Sequence, residues 1–129
     1  MKIIIPLIMA LLTLSSCAAS GTAAQAEYKM INMEEAAAMM AAEKDYLIVD
    51  VRTPEEYAQG HIPGAINVPN ESIGTEPPAL LPDKNQLIMV YCRSGNRSKQ
   101  ASQKLADMGY SNVVEFGGII DWEGAEGQV

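Results

Sequence analysis

The stretch from residue 87 to residue 108 constrains the fold of this chain more than any other. An unbroken apolar run over residues 87–91 ends in Cys92 and a short polar loop, and residues 98–108 then follow a helical pattern. A continuous apolar run, rather than an alternating one, is typical of a strand buried on both faces of a parallel sheet. The segment therefore predicts a strand, a loop and a helix, with Cys92 at the carboxyl end of a central strand, where α/β proteins bind ligands.

Two capping boxes predict where the earlier helices begin. Asn32 precedes Glu35 by three residues, and Thr53 precedes Glu56 by the same spacing, with Pro54 directly after Thr53. In this pattern the cap side chain and the acidic side chain each bind the other residue's backbone N–H. Proline fits the first position of a helix. The sequence predicts a helix after each cap, the second one short because a glycine follows at position 60.

The remaining elements follow from apolar runs and chain breakers. Residues 46–49, 65–68 and 112–116 predict three more strands. Residues 70–86 are rich in proline and predict mostly loop, with one helical turn near residues 79–81. The pair Gly117-Gly118 predicts a tight turn before a terminal helical turn. Helices and strands that alternate in this way predict an α/β fold with a mainly parallel sheet.

The loop after the central strand is suited to anion chemistry. Residues 92–97 read Cys-Arg-Ser-Gly-Asn-Arg. The glycine lets the loop curl so that backbone N–H groups face one point, and the next helix adds the positive end of its dipole. Both features favour a thiolate and predict a nucleophilic Cys92. Arg97 can hydrogen-bond an oxyanion or close the rim, and Ser94 and Ser98 can donate to a bound anion or an outer sulfur.

Two reactions fit a nucleophilic thiolate in such a loop. It can attack phosphorus, as in cysteine-dependent phosphatases, or an arsenate, or it can take up a sulfane sulfur as a persulfide. Four residues separate Cys92 from Arg97, and phosphatases of this type use a longer cradle. A smaller ring fits one terminal sulfur better than three phosphate oxygens, and no acid loop is assignable for protonating a leaving group. The spacing favours the persulfide, with phosphate chemistry as the alternative.

Four motifs in order resemble the single-domain rhodanese family. They are residues 46–52 (YLIVDVR) followed by Glu56-Tyr57, residues 60–69 (GHIPGAINVP), residues 91–98 (YCRSGNRS), and the Gly117-Gly118 pair with Trp122. The resemblance covers about residues 30–124. It implies an open, mainly parallel five-stranded sheet flanked by helices on both faces.

The resemblance also implies a function. Family members are sulfurtransferases that work through a cysteine persulfide, with thiosulfate as a common donor and cyanide or a thiol as acceptor, and no prosthetic cofactor is expected. A sulfur carrier or protein-docking module with little turnover is the alternative. Carried onto this sequence, the resemblance implies Cys92 as the nucleophile and a substrate cradle formed by Arg93, Ser94, Gly95, Asn96 and Arg97.

Four further residues near the predicted site have structural and functional interpretations. Asp50 and Arg52 end a buried strand near the same sheet edge as Cys92 and, with Ser98, are candidate supporting residues. We favour a structural ion pair for Asp50 and Arg52 over a role in lining the pocket. His61 is the only histidine, but it lies in a Gly-His-Ile-Pro-Gly turn and is interpreted as structural rather than as a general base.

The N-terminus predicts export. Lys2 precedes an apolar run over residues 3–14, which is too short for a bilayer span of about 20 residues and fits a signal peptide. The run ends in Leu-Ser-Ser-Cys, which resembles the bacterial lipobox, so Cys17 is predicted to carry lipid once residues 1–16 are removed. An ordinary signal peptide is the alternative. We expect an exported, membrane-anchored lipoprotein with a flexible tether over residues 17–27 and a rhodanese-like domain over residues 28–129.

Charge and cysteine content limit the partners. The formal net charge is −7, which argues against nucleic acid. Arg93, Arg97 and Lys99 nevertheless cluster and favour a small anionic substrate. With Cys17 lipidated, Cys92 is the only free thiol, so no intramolecular disulfide can form and no metal site can be built on cysteines. We expect a monomer that hands its sulfur to an external acceptor.

Overall fold

The computed structural model describes residues 26–122. Within them lie five strands and three α-helices: β1 (Lys29–Met30), α1 (Met33–Ala42), β2 (Tyr46–Asp50), α2 (Pro54–Ala58), β3 (Ile66–Asn67), β4 (Leu87–Cys92), α3 (Asn96–Asp107) and β5 (Val113–Gly118). The strands form one sheet in the order β1-β5-β4-β2-β3, and every neighbouring pair is parallel. The predicted α/β fold class with a parallel sheet is confirmed.

Both faces of the sheet are covered by helices. Successive residues of a strand point to opposite faces, and β4 shows this at its end. Cys92 packs in a buried cluster with Leu105 of α3, whereas Tyr91 packs in a second cluster with Ala36 of α1. The nucleophile candidate therefore lies on the α3 side of the sheet, at the carboxyl end of its central strand.

Both predicted capping boxes are present. The Asn32 side chain accepts the Glu35 N–H at 2.7 Å, and the Glu35 carboxylate accepts the Asn32 N–H at 3.1 Å. The Thr53 hydroxyl accepts the Glu56 N–H at 3.2 Å, and Glu56 accepts the Thr53 N–H at 3.3 Å. Such caps satisfy the N–H groups that the first turn of a helix leaves unpaired. The predicted starts of α1 and α2 are confirmed.

Two features beside the Cys92 loop differ from the prediction, namely the start of α3 and the conformation of the Gly117-Gly118 pair. Helix α3 begins at Asn96 rather than at residue 98, because Gly95 with φ +106° serves as its N-cap. The Gly117-Gly118 pair is not a turn but the end of β5, where Gly118 lies opposite Cys92. A β-bulge-like shift in register between Val90 and Cys92 accompanies this pairing. The chain after β5 then makes the predicted helical turn, a 3₁₀ turn at Ile119–Asp121.

Two features outside the site also differ. The apolar pattern does not predict strand β1, because this strand has only two residues, both exposed. It pairs with β5 at Val114 and Glu115. In the proline-rich segment an additional 3₁₀ turn lies at Asn70–Ser72. Near the predicted helical turn at residues 79–81 the chain makes a single hydrogen-bonded turn, in which the Leu81 N–H donates to the Pro78 carbonyl at 3.0 Å.

The N-terminal predictions concern a part of the chain that the structure does not describe. The predicted signal peptide, Cys17 and most of the tether precede residue 26. Among residues 26–122, no helix combines the length and the apolar character that a membrane crossing requires.

Candidate active site

Cys92 ends β4, directly before the loop that leads to α3. Its side chain is buried, with 1% of the residue exposed. The backbone N–H of Gly95 donates a hydrogen bond to Cys92 Sγ at 2.9 Å, and α3 begins at the next residue, Asn96. A helix N-terminus carries partial positive charge, so the sulfur faces a backbone donor and the positive end of a twelve-residue helix. A backbone N–H donor and a helix N-terminus are two features that favour a nucleophilic cysteine.

The loop after Cys92 combines a buried glycine with exposed polar side chains. Gly95 is buried and adopts the left-handed conformation that favours glycine. The side chains of Arg93, Ser94 and Asn96 are exposed. The loop thus presents backbone to the sulfur and polar side chains to solvent.

Arg97 closes one side of the loop through Glu56. Its guanidinium donates to both carboxylate oxygens of Glu56, at 2.7 and 3.1 Å, which is the two-pronged geometry of a strong ion pair. The hydrogen bond from Arg97 holds the pKa of Glu56 down at about 2, and Glu56 in turn raises the pKa of Arg97. The structure shows Arg97 paired with Glu56, and its predicted roles toward a bound anion stay predictions. The carboxylate of Glu56 therefore takes part in the capping box of α2 and also binds Arg97 beside the Cys92 loop.

We expect the Glu56–Arg97 pair to give the protein a pH-dependent stability. The pKa of Glu56 lies below its ordinary value of 4.5, so its contribution is complete above pH 4.5 and is lost as the pH falls towards 2. Glu56→Gln should lower the free energy of unfolding by about 1 kcal/mol at neutral pH, because both side chains are partly exposed. Urea unfolding at pH 7 and pH 3 measures the free energy of unfolding of the native protein and of Glu56→Gln. The difference between the two proteins should be smaller at pH 3 than at pH 7. The neighbouring Glu55→Gln, exposed on α2, is the matched control, and a loss equal at both pH values would contradict the prediction.

Asp50 and Arg52 form a buried ion pair on the other side of the sheet from Cys92. Arg52 Nη2 donates to Asp50 Oδ2 at 2.7 Å and to the carbonyl of Gly60 at 2.6 Å. The Tyr91 hydroxyl also donates to Asp50, at 2.7 Å, and its pKa is raised by burial and by this bond. These contacts fasten β2 to β4 and to the turn after α2. They match the structural interpretation, and none of them reaches the Cys92 loop.

His61 has a structural setting as well. Its ring stacks on Tyr57 with centroids 3.8 Å apart, and its Nδ1 lies 2.9 Å from the Tyr57 carbonyl oxygen. These contacts hold the turn after α2 against the helix that precedes it.

Ser98 and Glu115 extend the site inward. Ser98 Oγ lies 3.4 Å from Cys92 Sγ and donates to the carboxylate of Glu115. Glu115 is 2% exposed and comes from β5, the strand beside β4. Ser98 was predicted as a supporting residue, but Glu115 was not singled out. Its signal was present in the sequence, since an acidic residue interrupts the apolar run over residues 113–116.

A parallel α/β sheet that presents a cysteine to a helix N-terminus through a short loop defines a class of thiol-dependent group-transfer proteins. Comparison with known proteins specifies the class. The rhodanese-like domain family matches residues 32–125, and the chain belongs to this family.

Individual relatives agree with this assignment. The chain is 44% identical over 73 residues to the thiosulfate sulfurtransferase PspE of Escherichia coli, covering 57% of this chain and 70% of PspE. It is 41% identical over 93 residues to a sulfurtransferase of Allochromatium vinosum, covering 71% and 85%. A solved structure described as rhodanese with anions from E. coli has 40% identity and a TM-score of 0.57, covering 62% of this chain and 94% of that one. The predicted fold and rhodanese-type sulfurtransferase activity are confirmed.

Proposed function

We propose that Cys92 takes the sulfane sulfur of a small anionic donor, such as thiosulfate, and holds it as a persulfide for transfer to a thiol or cyanide. The observation that carries this proposal is the 2.9 Å hydrogen bond from the Gly95 N–H to Cys92 Sγ at the start of α3. A sulfur atom held this way can act as a nucleophile and later as a leaving group, and both halves of the cycle need the same stabilised anion.

The surroundings of the loop support an anionic donor. Arg93 is exposed beside Cys92, whereas the charge of Arg97 is compensated by Glu56. Arg93 and the N–H groups of the loop are therefore the groups we assign to attracting the donor. PspE is named a thiosulfate sulfurtransferase, and the E. coli rhodanese structure is described as holding anions, which supports thiosulfate as the first donor to test.

Two measurements test the proposal. Incubation with thiosulfate, glutathione persulfide or polysulfide should add about 32 Da, one sulfur atom, to the intact protein. Addition of cyanide should then release thiocyanate over many turnovers. Loading without repeated release would identify a sulfur carrier rather than an enzyme with turnover, and no adduct with any of the three donors would contradict the proposal.

We propose further that the protein is exported and anchored to the bacterial membrane through lipid on Cys17. The proposal is supported by the apolar run over residues 3–14 and the Leu-Ser-Ser-Cys sequence that ends it. A lipid anchor would hold the domain at a membrane surface, where it meets donors and acceptors of the cell envelope.

Lipid labelling tests the anchor. In bacteria grown with a clickable palmitate analogue, the native chain should carry the label and sediment with membranes, and Cys17→Ser should lose both properties. Cys92→Ser is the matched control, because it removes the other cysteine and should keep the label. Label on Cys17→Ser, or none on the native chain, would contradict the proposal.

A further inference from the structure

Glu115 is a buried carboxylate that the assigned chemistry does not use. It lies in β5 on the α3 side of the sheet and is 2% exposed. An isolated buried carboxylate is costly, so such a group is held by donors. Here one oxygen accepts from the Ser98 hydroxyl and from the Gly117 N–H at 2.9 Å, and the other lies 3.7 Å from Lys99 Nζ.

The hydrogen bonds of Ser98 connect Glu115 to the nucleophile. A serine hydroxyl has one hydrogen to donate and lone pairs to accept with. The Gly95 carbonyl, 3.0 Å from Ser98 Oγ, is a neutral acceptor, and the carboxylate of Glu115 is the stronger one. With its hydrogen directed to Glu115, Ser98 Oγ accepts the S–H hydrogen of Cys92, 3.4 Å away. Thiol, hydroxyl and carboxylate thus form one directed chain.

We infer that Glu115 holds, through Ser98, the proton that Cys92 gives up when it loads sulfur and takes back when it releases it. The inference rests on Cys92 as the sulfur-carrying residue. The thiol proton passes to Ser98 Oγ as the hydroxyl proton of Ser98 passes to Glu115, which leaves a thiolate and a neutral carboxylic acid. Glu115 does not contact the substrate. It is a positioning residue that acts through Ser98, by holding the proton of Cys92.

The cycle balances with the substrates of the sulfurtransferase reaction alone. The Cys92 thiolate attacks the outer sulfur of thiosulfate, a new S–S bond forms, and sulfite leaves with the electron pair of the bond that breaks. An acceptor thiolate or cyanide then attacks the outer sulfur of the persulfide. The Cys92 sulfur leaves with its electron pair and recovers its proton from Glu115 through Ser98.

The charges around Cys92 and Glu115 act on both directions of this proton transfer. Moving the proton shifts one negative charge from Glu115 to Cys92 without adding a second buried anion, whereas loss of the proton to solvent would leave a carboxylate and a thiolate together. The N-terminus of α3 faces Cys92 and favours the thiolate. Lys99 lies 3.7 Å from Glu115 and favours the carboxylate, so it assists the return of the proton when sulfur is released. Arg97, also on α3, is held by Glu56, and the residue of β1 paired with Glu115 is the uncharged Met30.

The test is the pH dependence of Cys92 reactivity. In the native protein, sulfur loading in a single turnover should vary little between about pH 6 and pH 8. Glu115→Gln keeps the shape but cannot take the proton, so loading should be about 100-fold slower at pH 6 and approach the native rate near pH 9. Ser98→Ala should show the same profile, and the double variant should add nothing further. Glu55→Gln, an exposed carboxylate variant on α2, should match the native profile.

Alkylation of Cys92 by iodoacetamide over the same pH range separates this inference from the proposed function, because it needs no sulfur donor. A profile for Glu115→Gln that keeps the native shape, whether unchanged in rate or slowed equally at every pH, would overturn the inference. If Glu115→Gln does not fold, Ser98→Ala decides alone: a steep pH dependence supports the proton chain and a native-like profile overturns it.

Discussion

Replacing Cys92 with serine is expected to abolish sulfur loading. The native protein should gain about 32 Da on incubation with thiosulfate, and the variant should gain nothing, a loss of at least about 1,000-fold in rate. A serine hydroxyl is not ionised near neutral pH and does not form a stable bond to sulfane sulfur. It is close to the thiol in size and can accept the Gly95 N–H that now reaches Sγ at 2.9 Å. The variant should therefore stay folded, and intact-mass spectrometry measures the result.

The second cysteine supplies the control. Cys17→Ser should load sulfur like the native chain, because the proposed anchor takes no part in the chemistry. An adduct that persists in Cys92→Ser, or that maps to Cys17, would contradict the assignment of the nucleophile. Thermal unfolding of Cys92→Ser shows whether a lost adduct reflects lost chemistry rather than a lost fold.

Phosphate hydrolysis is the other reaction that the sequence allows for the Cys92 thiol. The Cys92→Ser variant also distinguishes this reaction from sulfur transfer. The loop from Cys92 to Arg97 is one residue shorter than a phosphatase cradle, and Arg97 is engaged by both oxygens of Glu56. An arginine held in this way offers fewer free donors to the oxygens of a phosphate. Hydrolysis of an aryl phosphate by the native protein that disappears in Cys92→Ser would favour the phosphatase.

The local features of the fold were predictable from the sequence because they depend on neighbours along the chain. The capping boxes at Asn32 and Thr53 depend on residues only three positions apart. The continuous apolar run before Cys92 indicates a strand that is buried on both faces. The sequence predicts the start of α3 two residues late, because the cap depends on the positive φ of Gly95, which the sequence permits but does not require.

The contacts between segments were not predictable in the same way. The pairs Arg97–Glu56 and Ser98–Glu115 join residues 41 and 17 positions apart, and no spacing rule connects them. Strand β1 is too short to carry a pattern of its own and forms only because β5 offers it an edge. Glu115 could have been noticed as a charge in a buried strand, but its partner depends on how α3 packs on the sheet.

At Gly118 the backbone of the Cys92 loop packs directly against the end of β5. Its backbone is extended, with φ −123°, a conformation that any residue can adopt. A Cβ atom at this position would overlap the carbonyl oxygen of Arg93 and lie 2.6 Å from Ser94 Cα. Both are backbone atoms of the Cys92 loop, which cannot move aside like the end of a flexible side chain. Glycine is required here by space rather than by conformation.

Gly118→Ala is therefore expected to displace the loop. The added methyl group must push the backbone of Arg93 and Ser94 away from β5, at a cost of about 3 kcal/mol in the free energy of unfolding. Because Cys92 directly precedes these residues, its sulfur should leave its position beside the Gly95 N–H. A misplacement of about 1 Å can slow a reaction about 100-fold. Urea unfolding and single-turnover loading with thiosulfate measure the two effects.

Two other glycines serve as controls. They separate the effect of the backbone contact at Gly118 from the general effect of replacing a glycine with alanine. Gly74→Ala adds a methyl group in open space, and Gly64→Ala does so at φ +86°, so the second alone should cost about 1 kcal/mol in backbone strain. Neither should slow loading, because a Cβ atom at either position has no neighbour within 4 Å and so cannot push on the loop. If Gly118→Ala loses stability but loads sulfur at the native rate, the loop holds its geometry without support from β5. The position of Cys92 would then depend on the N-cap at Gly95 and the start of α3 alone.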